Sequence, residues 1–294
     1  MPLMVNEQVS VDYDVHGDGG PPLLMINGLG FGRWGFFKQV PALSRRFRVV
    51  TFDIRNAQNL SHGVADLSAA AVALLDHLGI RKAHVLGTSL GGFVAQELAL
   101  DRPDIVDRLV LVCTSYGGSG PETMSPRALG TMLGLGALAP EDAARRGLEV
   151  ATSDAYRAQK PEEFEEIVRW RITDSPSLAA YSQQLMAGAR FDRSRGAGDI
   201  YAPTLVIHGR EDRFVPVANA AALADALPDA TLRVLDDAGH LVFVEKAAQV
   251  NRYVSDFLKP RKPRKSPGKP EGRKDRLSRA VRSLTGKLLG GFTR

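Results

Sequence analysis

Residues 83–92 read AHVLGTSLGG: an apolar run from Ala83 to Leu86 enters Gly87-Thr88-Ser89-Leu90-Gly91, and Gly92 leads into a helical pattern from Phe93 to Leu100. A serine with glycine two residues away on each side, between a strand and a helix, is the pattern of a nucleophile held on a strained turn. The backbone there is crowded, so both flanking positions need small residues. The turn lifts the hydroxyl clear of the sheet and leaves the N–H of Leu90 facing a reacting carbonyl at the start of a helix. Taken alone, the five-residue motif also occurs in ordinary glycine-rich turns. Its place between strand and helix is what selects Ser89.

Outward from that point the chain alternates short apolar runs with helical periods. Leu23 to Ile26, Phe47 to Phe52, Leu109 to Cys113, Thr204 to Ile207 and Thr231 to Leu235 read as strands, and Val9 to Val15 as a half-buried one. Residues 64 to 79 place Leu67, Ala70, Ala71, Leu74, Leu75 and Leu78 on one helical side. Further helices are expected over Ala218 to Leu227 and Val242 to Leu258. Strands alternating with helices imply an α/β fold with a mostly parallel sheet, and continuous apolar strands imply helices on both faces. Residues 118–198 break the rhythm with helical stretches only. The expected organisation is a core of residues 1–117 and 199–258 with a helical cap inserted over 118–198.

A serine hydroxyl needs a base. Of the six histidines, His240 follows Asp237-Ala238-Gly239 after the last strand, where a loop can bring an imidazole to the serine. His16, His62, His77, His84 and His208 lie in turns, loops, a helix or strand ends and suit structural roles. The base in turn needs an acid to fix its tautomer. Asp212, in His208-Gly209-Arg210-Glu211-Asp212-Arg213, follows the strand 204–207. Glu211 is a second candidate, and the neighbouring arginines equally suit a solvated ion pair. The order Ser, Asp, His is the one this strand–turn–helix architecture uses.

Bulk composition narrows the remaining classes. The 294-residue chain has one cysteine, Cys113, which excludes an internal disulfide. It has no HExxH spacing and no P-loop, so neither a metal nor another cofactor is expected. The net charge of +5 is uneven: from Lys259 onward there are 13 Lys and Arg against 2 acids, while residues 1–258 hold 25 against 31. The body is therefore acidic, and no nucleic-acid binding is expected of it. Residues 259–274 read as a basic disordered linker. Over residues 275–294, Leu277, Ala280, Val281, Leu284, Leu288 and Phe292 share one helical face opposite several arginines. That basic amphipathic segment fits an anionic membrane surface, and equally the acidic body of the chain. No run is long enough to cross a membrane, and the N-terminus lacks a signal-peptide pattern. A cytoplasmic protein is expected, peripheral to the membrane if the tail binds there.

The elbow GTSLGG, the segment HGREDRFVP and the segment DAGHLVFVE together resemble the α/β-hydrolase superfamily over about residues 9–258. The stretch LGIRKAHVLGTSLGGFVAQELALDRPDIVDRLVLV is most similar to small cap-bearing esterases and lactonases of the 3-oxoadipate enol-lactonase type. The resemblance implies a triad of Ser89, Asp212 and His240, an oxyanion hole made by the N–H groups of Leu29 and Leu90, and a small ester or lactone as substrate. Serine at position 89 separates the chain from the epoxide-hydrolase and dehalogenase branches, which carry Asp there. Asn27-Gly28 stands where His-Gly is usual. Asn27, Gly28, Phe31, Trp34 and Trp170 are the expected pocket residues. The chain departs from the superfamily at Asp53-Ile54-Arg55-Asn56-Ala57-Gln58-Asn59-Leu60-Ser61, which lacks two glycines usual there. C–C bond hydrolysis, cofactor-free lyase or oxygenase chemistry, and slow-turnover ligand reception are the alternatives such a triad leaves open.

Overall fold

The computed structural model describes residues 3–5, 10–53, 63–120, 122–134, 138–174 and 176–259. An eight-stranded sheet runs through it: β1 Leu3–Val5, β2 Ser10–His16, β3 Pro22–Ile26, β4 Arg48–Phe52, β5 Ala83–Thr88, β6 Val106–Val112, β7 Thr204–Gly209 and β8 Ala230–Leu235. Their order across the sheet is β1-β2-β4-β3-β5-β6-β7-β8. The β1–β2 and β2–β4 pairs are antiparallel and the rest parallel. The sequence pattern did not mark β1.

Side chains alternate between the two faces, as a strand's period of two requires. Leu24, Ile26, Val85, Leu109, Leu111 and Val206 point into one core. Leu23, Met25, Leu86, Val110, Val112 and Ile207 point into the other. The first core is covered by α2 Val64–His77, α3 Leu90–Asp101 and α9 Val217–Ala226. The second is covered by the short α1 Val40–Leu43 and by α10 Val242–Glu245 and α11 Ala247–Leu258. The continuous helix expected over 242–258 is therefore two. It breaks at Lys246 (φ −116°, ψ 37°), and no Gly or Pro in the run signals the break.

Chain order and sheet order disagree at one place. From β3 the chain moves to β4 on one side and then crosses to β5 on the other, leaving β3 and β5 adjacent, with Ile26 beside Gly87. Loops leaving the carboxyl ends of strands on either side of such a reversal diverge and open a crevice. The loop after β3 carries Leu29, and the turn after β5 carries Ser89.

The region expected as a cap contains α4 Pro126–Gly134, α5 Pro140–Ala151, α6 Asp154–Gln159, α7 Pro161–Thr173 and α8 Leu178–Arg190. Proline opens α4, α5 and α7, where its missing N–H costs nothing. Ser153 and Ser177 cap α6 and α8 through their hydroxyls. The insertion leaves and returns through a narrow neck. Gly117 bridges Asp192, the Gly118 N–H donates to Phe191 O at 2.9 Å, and the Arg193 N–H donates to Tyr116 O at 2.7 Å. Residues 193–203 then run back to β7 through a short 3-10 turn, Ala197–Asp199, with Ala197 and Ile200 fully buried. Residues 260–294, with the expected linker and amphipathic helix, and residues 54–62 of the atypical loop lie outside the described residues. Among the described residues no helix is long and apolar enough to cross a membrane.

Candidate active site

Ser89 sits at φ +52°, between β5 and α3. Its N–H donates to Val112 O at 2.9 Å, and its carbonyl accepts the Gly92 N–H and the Thr114 hydroxyl. The turn is tight enough that a Cβ on Gly91 would lie 2.1 Å from Ile26 O, and one on Gly87 would lie 2.2 Å from Gly91 O. The glycines of the motif are therefore steric necessities, as the sequence pattern implied.

Ser89 and His240 line one cavity of about 620 Å³. His240 Nδ1 lies 2.7 Å from Asp212 Oδ2. A carboxylate accepts only, so Nδ1 carries the proton and Nε2 is the basic nitrogen. Asp212 is held on every side. Its Oδ1 accepts the N–H groups of Phe214 and Val215, both at 2.9 Å, and His208 Nε2 lies 3.2 Å from Oδ2. Burial alone would raise the Asp212 pKa. The charge on His240 and the hydrogen bonds from His208 and His240 outweigh it and hold the carboxyl well below its usual range. Glu211, the second candidate, is exposed. His208 is fully buried with Nε2 2.7 Å from Val215 O, a structural role as expected, though one that touches the acid. Phe214 packs edge-on to the His240 ring at 5.3 Å.

The loop carrying His240 is tied down by groups that the sequence did not single out. Half-buried Glu245 accepts the Gly239 N–H on one oxygen and the Ser153 N–H on the other, both at 3.0 Å. The Leu241 N–H donates to Ala151 O at 3.0 Å. The His240 loop is thus fastened to the junction of cap helices α5 and α6.

Of the expected pocket residues, Gly28 and Phe31 line the cavity, as do Leu29 and Leu90. Asn27, Trp34 and Trp170 do not, and that expectation is corrected. Asn27 is buried and turns its Nδ2 to Gly32 O at 2.6 Å, bracing the loop from beneath. Trp34 packs on Trp170 at 5.8 Å and Phe31 at 5.0 Å, and Trp170 packs on Phe37 at 4.8 Å. This aromatic cluster joins cap to core and touches the cavity only through Phe31. The sequence missed Phe93 and Phe191, stacked at 4.4 Å in the wall, and the polar pair Arg171 and Gln184. Gln184 could have been found: Tyr181, Gln184, Leu185 and Gly188 fall at helical spacing, and all four line the cavity. Among the described residues, one grouping has metal-ligand chemistry: Cys113, His208 and Asp212, all buried, with ligating atoms within 4.8 Å. Burial first, then Asp212, push the Cys113 thiol well above its usual pKa, so it stays protonated and is a poor ligand.

Residues 21–247 match the family described as alpha/beta hydrolase fold, and the chain belongs to that family. It is 31% identical over 267 residues to the 2-hydroxy-6-oxononadienedioate/2-hydroxy-6-oxononatrienedioate hydrolase 2 of Pseudomonas putida, covering 85% of this chain and 92% of that protein. It is 32% identical over 255 residues to a Variovorax paradoxus protein named for carbamate hydrolysis, covering 84% and 95%. The crystal structure of the enol-lactonase from Burkholderia xenovorans LB400 superposes with a TM-score of 0.76 at 28% identity, covering 87% of this chain and 99% of that one. These relatives are hydrolases of differing substrates.

Proposed function

We propose that the protein is a serine hydrolase that cleaves a small carboxylic ester or lactone through an acyl-enzyme. The observation that carries this is the shared cavity of Ser89 and His240, with His240 Nδ1 fixed by buried Asp212. Ser89 Oγ attacks the carbonyl carbon while His240 Nε2 takes its proton. The N–H groups of Leu29 and Leu90 receive the oxyanion. The C–O bond then breaks, and His240 returns the proton to the leaving alkoxide. Water, deprotonated by the same imidazole, releases the acid and restores Ser89. Phe31, Phe93, Phe191, Phe214, Leu185 and Met132 give the cavity a mainly apolar wall, which supports a small, largely uncharged acyl group.

The test is hydrolysis of p-nitrophenyl esters of rising acyl length by wild type and Ser89→Ala. Turnover that falls by about 10⁵-fold or more in the variant supports acyl transfer at Ser89. Ester turnover that survives the substitution refutes it.

One observation favours a second reading, hydrolysis of a C–C bond on the same triad. The relative from P. putida is named for a dicarboxylate, and the cationic Arg171 is among the residues that line this cavity. Inertness toward every ester, with consumption of a 2-hydroxy-6-oxo-dienedioate that requires Ser89, would select it.

A further inference from the structure

Leu29 and Gly30 are the middle residues of a turn. The Phe31 N–H donates to Gly28 O at 3.2 Å. Gly30 has φ +71°, whereas among the described non-glycine residues only Ser89, Cys113 and Asp237 are positive, so Leu29 is negative. Negative then positive φ is the type II pattern. Its competitor, type I, differs mainly by a flip of the peptide between the two middle residues. That flip would swap the Gly30 N–H for the Leu29 carbonyl.

The core holds this loop by its far end. Asn27 Nδ2 donates to Gly32 O, and the Arg33 N–H donates to Asp53 Oδ1 at 2.9 Å. The middle is held by the cap. Gln184 of α8, 2% exposed, accepts the Gly30 N–H on Oε1 at 3.4 Å. Arg171 of α7 donates from Nη1 to Gly30 O, and its guanidinium lies 5.7 Å from the centre of the Phe31 ring. A Cβ on Gly30 would lie 2.3 Å from Arg171 Nη2 and would displace that guanidinium, and the positive φ separately favours glycine there.

We infer that Gln184 and Arg171 are positioning residues through which the cap sets the oxyanion loop: they grip both backbone groups of Gly30 and lock the turn that presents the Leu29 N–H. This rests on the acyl-transfer reading, since that N–H acts only if an oxyanion forms. A flipped peptide would aim the Leu29 carbonyl at Gln184 Oε1, two acceptors facing each other. It would also set a carbonyl dipole against the charge that the hole must stabilise. A displaced cap loosens the turn, so the hole is complete only with the cap seated.

The test compares full-length wild type, Gln184→Met, Arg171→Met and the double variant. Two rates are read: phosphonylation of Ser89 by a fluorophosphonate, and kcat with KM on p-nitrophenyl butyrate. Each single change is expected to slow phosphonylation and kcat about tenfold, part of the loss seen when an oxyanion donor is removed, with KM within about twofold. The double variant is expected to lose less than the product of the singles, because both grip one glycine. Met186→Ala, half-exposed on the same helix, is expected to match wild type. Arg171→Met keeps the test open if the buried Gln184 substitution fails to fold. Single variants at wild-type rates, or with only KM raised, overturn the inference while leaving the acyl-transfer reading intact. A wild type that reacts with neither probe removes that reading and the inference with it.

Discussion

The sheet and the cap meet the cavity from opposite sides and are held together differently. Every residue of β5 and β7 is buried, and the elbow and the loop of Asp212 follow directly from their ends. On α8 only Gln184 and Ala187 are buried, while Leu178 and Met186 face outward. The sheet is rigid because its strands are packed on both faces. The cap joins the core through Leu148, Tyr156, Phe164, Ile167 and Val168 of α5 to α7, and it also reaches into core loops: Gln184 and Arg171 at Gly30, Ser153 at Glu245, Ala151 at Leu241. A layer packed on both faces can carry precise chemistry, and a thinly packed helix such as α8 can still hold a loop through a backbone hydrogen bond.

That contrast can be broken or sharpened by substitution. The largest effect is expected at the acid. Asp212→Asn leaves the side-chain volume intact but presents the wrong tautomer of His240, and kcat is expected to fall about 10⁴-fold in ester assays. The same variant tests the depressed pKa. A carboxyl lower in the folded than in the unfolded state adds stability above the unfolded value of about 3.9 and loses it as pH falls further. Thermal melts of wild type across acid pH are expected to show that decline, and Asp212→Asn a flatter one. Next comes the sheet: Leu24→Ala, fully buried on β3, is expected to cost about 2–5 kcal/mol in denaturant unfolding. The seam is intermediate. Glu245→Gln replaces one of two acceptors with a donor facing an N–H, for an expected loss of about 1–3 kcal/mol and a lower kcat through the freed His240 loop. The smallest is Leu133→Ala on α4, 74% exposed, expected within about 0.5 kcal/mol of wild type. A large loss there would mean that the cap is packed on something beyond this fold.

The same contrast decides what the sequence could reveal. Ser89, Asp212 and His240 lie at strand ends, where apolar runs announce the sheet and the turn chemistry leaves few alternatives. Their convergence was legible for that reason. The cavity wall was not. A helical period shows that Trp170, Tyr181 and Leu185 face something apolar, but not whether it is a neighbouring helix or an open space. Tyr181 and Leu185 face the cavity, whereas Trp170 is spent on Trp34 and Phe37. The spacing of Gln184 with Tyr181, Leu185 and Gly188 marks its place in the wall, but what Gln184 and Arg171 hold was illegible for a related reason. Their partners are backbone groups of a loop more than 140 residues earlier, and no side-chain pattern records a contact to backbone.

The neck at Gly117 and Asp192 has a consequence for how this scaffold can change. Because the insertion departs and comes back through a single backbone bridge, its length is nearly invisible to the sheet. Doubling a loop costs only about 0.6 kcal/mol in closure entropy. Foreign helical segments of quite different size could be grafted between those two residues without disturbing the strands. Such chimaeras would keep the elbow and the acid while exchanging the substrate wall, provided the graft brings its own grip for Gly30 and its own hold on Glu245 and Leu241.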